Sequence, residues 1–101
     1  MFETFREAYT EAALEELLEI EAYLEAQSSG LGKTFRSEFS ATVDLLLEFP
    51  EAAPVVSPRG IRRRLLPRFP YAILYVLTKD LLLILAVAHT SRAPDYGKDR
   101  F

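Results

Sequence analysis

The chain has no cysteine, which excludes disulfides, thiolate metal ligands and cysteine nucleophiles and fits a reducing cytoplasm. It has one histidine, His89. A multi-histidine metal site is therefore impossible, the common transition-metal ligand sets are missing, and no metal or cofactor is expected. Lysine is confined to Lys33, Lys79 and Lys98. The longest apolar run, residues 81–88, falls far short of the ~20 residues that span a bilayer, so no membrane partner is expected. Glu3 and Glu7 interrupt the N-terminus before an apolar stretch forms, so no signal peptide is expected. No repeat, low-complexity stretch or linker divides the sequence, and 101 residues read as a single domain, 1–101.

Apolar residues make up 50% of the chain and charged ones 27%, a balance that excludes intrinsic disorder. The net charge of −3 conceals an uneven distribution. Residues 1–53 hold twelve acids against three bases, a net −9, and residues 54–101 hold nine bases against three acids, a net +6. Two faces with different electrostatic preferences are expected.

Hydrophobic spacing sets the elements. Residues 3–9 suggest a short first strand with poor alternation. Thr10 stands at an N-cap position with Glu11 in the first turn. Ala13, Leu17, Ile20 and Leu24 recur at helical spacing over a helix expected at 10–27, which ends at Gly30 with a left-handed C-cap. A second helix at 31–49 buries Phe35, Phe39, Val43 and Leu46, and its Thr42 needs a hydrogen-bond partner. Pro50 stops it, and Pro54, Pro58 and Gly60 make the following stretch a loop. Strands are expected at 61–66, 71–77 and 81–89, then a polar tail with a turn at Ala93-Pro94-Asp95. The run 81–88 lacks polar alternation and reads as a central strand covered on both faces. The fold class is α+β in the order β-α-α-β-β-β, an antiparallel helix hairpin packed on a small antiparallel sheet.

Three features invite a functional reading. Arg62, Arg63 and Arg64 are consecutive, with Arg59 and Arg68 nearby. They read as a phosphate- or carboxylate-binding patch, or as a charged edge strand guarded against aggregation. In a strand, at most two of the three share a face. His89 closes the last strand, either as a general acid or base or, as we favour, as a packing residue. Glu11, Glu15 and Glu19 are spaced i,i+4, as are Glu21 and Glu25, which gives the first helix an acidic face. Leu14 and Leu18 flank that face as docking points for a partner helix or a second copy of the chain.

The run Tyr23-Leu24-Glu25-Ala26-Gln27-Ser28-Ser29-Gly30-Leu31-Gly32 with Phe35, and Phe49-Pro50 with Pro54 and Val55, resemble the helix hairpin of RelE/ParE-type toxins. Arg62-Arg63, then Phe69-Pro70-Tyr71-Ala72-Ile73 and Tyr75, resemble the central hairpin of that superfamily. Ala86-Val87-Ala88-His89, Arg92, Pro94, Tyr96 and Arg100 resemble its C-terminal motif. The resemblance implies the toxin of a type II toxin–antitoxin module, with a cognate antitoxin similar to ParD or RelB. In the ParE-like branch the toxin inhibits DNA gyrase by protein–protein contact. In the alternative RelE-like branch it is a metal-independent endoribonuclease acting on messenger RNA in the ribosome.

For the nuclease branch, the resemblance makes His89, Arg92 and Tyr96 the catalytic candidates. Cleavage needs a base for the 2′-hydroxyl, an acid for the leaving oxygen and a cation for the phosphorane. The lysines that crowd many RelE-like sites have no counterpart here, and a sequence pI near 5.2 suits a phosphate-rich cavity poorly. The ParE-like branch is therefore favoured, with no enzymatic activity expected. Arg62, Arg63, Arg64, Arg68, Arg92 and Arg100, with Leu14 and Leu18, are the candidates for binding target or antitoxin.

Overall fold

A four-residue strand, β1 (Arg6–Tyr9), leads straight into α1 (Glu11–Gln27), and Thr10 makes the join. Its hydroxyl accepts from the Ala13 N–H at 3.1 Å, capping the helix, and donates to the Leu85 carbonyl at 3.1 Å. The computed structural model describes residues 4–94 and 96–101. Glu3, the first residue of the expected strand, and Asp95, the end of the expected tail turn, lie outside the described residues. After α1 come α2 (Leu31–Glu48), β2 (Arg62–Leu65), β3 (Tyr71–Thr78), β4 (Leu81–His89) and a 3₁₀ turn (Lys98–Arg100).

Both helical stripes face inward as their spacing predicts. Ala13, Leu17 and Leu24 are buried with Phe35, Phe39, Val43 and Leu46, and Ile20 packs at the margin. Thr42 finds its partner within the helix, donating to the Glu38 carbonyl at 2.9 Å. Gly30 is left-handed (φ 87°), as the sequence suggests, but it begins α2 rather than capping α1, whose C-cap is Ser28. Gly30 has no side chain with which to cap α2. Glu25 of α1 substitutes, accepting from the N–H groups of Gly30 (2.9 Å) and Gly32 (3.1 Å).

Gly32 is where the helices meet. A β-carbon there would stand 2.6 Å from the Glu21 carbonyl oxygen, a backbone atom that cannot step aside. Alanine's better helix propensity, about 1 kcal/mol, opposes this clash. Overpacking costs roughly 1–3 kcal/mol, and a backbone obstacle places it at the upper end. Gly32→Ala should therefore lower stability by about 1–2 kcal/mol net. A urea midpoint equal to that of the wild type would show that the helices can move apart at no cost.

The sheet order is β1-β4-β3-β2. β2–β3 and β3–β4 are antiparallel, but β1 runs parallel to β4, so the sheet is mixed rather than wholly antiparallel. Parallel neighbours need a long crossover, and the chain between β1 and β4 includes the whole helix hairpin. As expected, β4 is a central strand covered on both sides. Leu82, Ile84 and Val87 pack toward the helices, while Leu85, Ala86 and Ala88 join Ile61, Ala72, Leu74 and Val76 on the far face.

That pattern contains a phase change. Tyr75 pairs with Ile84 and Leu74 with Ala86, so Leu85 is an extra residue in β4, a β-bulge. Before it, even-numbered side chains face the helices; after it, odd-numbered ones do. The carbonyl of Leu85 receives both the Thr10 hydroxyl and an Nη of Arg100 (3.1 Å each). The loop 50–61 is tied down as well. Tyr75 donates to the Pro50 carbonyl at 2.6 Å, and Ala53 and Ile61 are buried. Among the described residues no helix is long and apolar enough to cross a membrane.

Candidate functional site

Strand β2 is an edge strand, and its three arginines divide between its faces. Arg62 and Arg64 pair with Tyr75 and Ile73, which point to the helices, while Arg63 pairs with Leu74, which points away. Their duties differ. Arg62 donates to the carbonyls of Glu51 (3.1 Å) and Ala53 (2.7 Å) and so fastens the proline-rich loop. Arg68 donates through Nε and its backbone N–H to Glu38, at 2.9 and 3.0 Å. Arg63 and Arg64 make no side-chain hydrogen bond or ion pair among the described residues. Shallow hollows flank this edge. One, of about 520 Å3, lies between α2 and β2 with Leu45, Arg64 and Arg68 in its lining. The other, of about 480 Å3, carries Val56, Arg63 and the exposed Leu65.

Glu38 is a buried acid, three residues after Phe35 and four before Thr42, so it stands on the buried stripe of α2. Burial pushes its carboxyl up, but the side-chain and backbone hydrogen bonds from Arg68 outweigh that, and the net position is below the ordinary carboxylate value. The side chain of Arg68 is 75% exposed, so its charge is well solvated and the pair chiefly positions the 66–70 turn.

A second cluster gathers on Glu16 of α1. Its Oε1 accepts from the Val87 N–H (3.1 Å) and from Arg100 Nη1 (2.7 Å). Its Oε2 accepts from the Tyr96 hydroxyl (2.7 Å) and from Arg100 Nη2 (3.2 Å). Arg100 also donates to the Tyr96 hydroxyl at 3.1 Å, and the guanidinium carbons of Arg92 and Arg100 each lie 5.0 Å from the Tyr96 ring centroid. The hydrogen bond to Glu16 holds the Arg100 guanidinium above its ordinary value. Gly97 lets the tail lie flat, since a β-carbon there would stand 2.9 Å from that of Ala86. One carboxylate thus fixes the C-terminal segment to the first helix.

His89, Arg92 and Tyr96 line a single hollow of about 260 Å3, together with Glu16 and Glu19. The sequence-based triad is therefore brought together, but Tyr96 and His89 Nδ1 are engaged, and among the described residues the Arg92 side chain makes only its ring contact with Tyr96. The Tyr96 hydroxyl is committed to Glu16 and Arg100. Nδ1 of His89 accepts from the Ser91 N–H at 3.0 Å, and its ring meets Tyr71 edge-on at 5.4 Å. Glu16 is spent on Arg100 and Glu19 offsets Arg92, so the hollow offers a phosphodiester no net positive charge.

The other candidates lie apart. Leu14 and Leu18 are 43% and 50% exposed on the outer arc of α1, away from the arginines of β2. Arg92 and Arg100 belong to the tail cluster, so the proposed binding residues fall into three places. Sequence reasoning missed Glu16 and Glu38. The available signal for Glu16 was its position three residues after Ala13 and four before Ile20, which puts it beside the buried stripe.

Residues 8–94 match the family model described as "ParE toxin of type II toxin-antitoxin system, parDE". A solved chain described as "Chromosomal ParDE TA system from P. aeruginosa" has the same fold, with a TM-score of 0.69 and 18% identity. The similarity covers 85% of this chain and 96% of that one. No curated protein matches the chain.

Proposed function

Since this chain belongs to the ParE toxin family of type II toxin–antitoxin systems, we propose that it inhibits DNA gyrase by protein–protein contact and is neutralised by a cognate antitoxin. The observation that carries this reading is the occupation of Glu16. An arginine, a tyrosine hydroxyl and a backbone N–H converge on one point, as a phosphate would require, and the chain's own carboxylate already fills it. With Glu19 in the same hollow, a scissile RNA phosphate is disfavoured, which supports a non-nucleolytic toxin. Both partners imply action in the cytoplasm.

The antitoxin reading rests on the β2 edge. Arg63 and Arg64 are uncommitted cations beside Leu45, Val55 and Leu65, which are exposed apolar residues. An acidic segment that folds on binding would set its apolar side chains in these hollows and its carboxylates against the arginines. Exposed arginine–carboxylate pairs contribute only ~0–1 kcal/mol each, so the apolar anchors hold the complex and the arginines speed its formation.

The test uses the purified protein in two assays. Gyrase supercoiling should be inhibited in a dose-dependent manner, and a reconstituted translation reaction should leave its messenger RNA intact. Cleavage of message within the ribosome, with supercoiling unaffected, would replace this reading with the endoribonuclease one.

A further inference from the structure

We propose that the outer groove between α1 and α2 is a second docking surface, for a cationic amphipathic helix of a partner protein. The groove has a volume of about 1050 Å3 and runs along the seam of the hairpin. Leu18 and Ala22 line it from α1, one turn apart, and Leu14 extends the same row by another turn. From α2 it is lined by Ser37, Ser40 and Ala41, small residues that admit a close approach. Leu14 and Leu18 contribute nothing to the core of this chain, yet they stand at the i,i+4 spacing that a helix-in-groove contact uses.

Charge selects the occupant. At one end of the groove the acids are already answered. Arg36 donates to Glu21 at 2.7 Å, Glu25 caps the N-terminus of α2, and Lys33 adds a cation to the lining, so this end does not attract further positive charge. At the other end Asp44 lines the groove, Glu11, Glu15 and Glu48 follow beyond it on the same two helices, and none of the four makes a hydrogen bond or ion pair among the described residues. Apolar anchors bordered by unanswered carboxylates fit a helix with leucines on one face and lysines or arginines beside them. A second copy of this chain paired about a two-fold axis along the groove would bring these carboxylates together, and like charges oppose it. An axis across the groove would set them against the Lys33 end, and a self-association measurement tests that arrangement. An acidic antitoxin tail meets the same repulsion here, and its complement is the β2 edge.

The experiment uses a short fluorescent peptide with leucines at i,i+4 and flanking lysines, and a matched peptide with glutamates in place of the lysines. Anisotropy is read at low and moderate salt, with far-UV circular dichroism confirming that each variant is folded. The lysine peptide should bind the wild type, and the glutamate peptide should not. Leu14→Ser with Leu18→Ser should weaken binding about tenfold or more, because the anchors are lost. Glu11→Gln with Glu15→Gln should weaken it less and flatten its salt dependence. If the leucine variant binds like the wild type, the attraction is unspecific and the groove is not a site. Equal binding of both peptides would also overturn the proposal. So would concentration-dependent self-association that the leucine variant abolishes, since it assigns the groove to a second copy. Inhibition of supercoiling is a separate readout, so failure here leaves the gyrase reading to stand or fall by itself.

Discussion

Glu16→Ala should reduce the unfolding free energy by about 2–3 kcal/mol and release the C-terminal segment. Breaking a fully buried ion pair costs roughly 3–5 kcal/mol, because the remaining charge is stranded. Here the side chains of Arg100 and Glu16 keep 26% and 19% of their exposure, so water screens the stranded guanidinium and the figure is smaller. Two neutral donors add to the loss, the Val87 N–H and the Tyr96 hydroxyl, each left without its acceptor. Glu16→Gln keeps the shape and an acceptor oxygen and should lose about half as much. Chemical denaturation measures the stability, and amide exchange of residues 96–101 reports the release. If both substitutions cost under ~0.5 kcal/mol, a surface-like value, the tail is held by packing and the cluster is incidental.

Reversing charge at Arg63 and Arg64 together should slow antitoxin association by about tenfold to a hundredfold at low salt, with a smaller change in dissociation. The expectation depends on choosing arginines without structural duties. Arg62 holds the carbonyls of Glu51 and Ala53, and Arg68 holds Glu38, so reversing either would disturb the chain itself. Arg63 and Arg64 are uncommitted on opposite faces of the edge strand, and their effect should be mainly on the encounter. Raising the salt should slow the wild type toward the variant, because both treatments remove the same steering. Stopped-flow mixing at two salt concentrations reads this directly. Rates indifferent to substitution and salt alike would move the landing surface away from β2.

Much of the fold was legible because its elements bury one face at a regular period. The stripes of both helices, the stop at Pro50 and the central strand 81–89 follow from spacing and from proline chemistry. The parallel pairing of β1 was not legible. Four residues with weak alternation carry little information, and their partner lies more than seventy positions away. The site was less legible still. Glu16 sits in an acidic helix and resembles its solvated neighbours, while its partners Tyr96 and Arg100 are separated from it by 80 and 84 positions. The arginines were visible as a run, but not which were bound within the chain, because that depends on carbonyls offered by a loop.

The bulge at Leu85 makes β4 two half-strands of opposite phase joined in one apolar run. The joint acts as a parity switch. If all nine residues alternated regularly with no bulge, Ala86 and Ala88 would exchange faces with Val87 and His89. The Val87 N–H would no longer meet Glu16, and His89 would leave Tyr71 for the opposite side of the sheet. A run of nine residues with almost no polar character thus depends on one irregularity for which of its side chains meet the helices in each half.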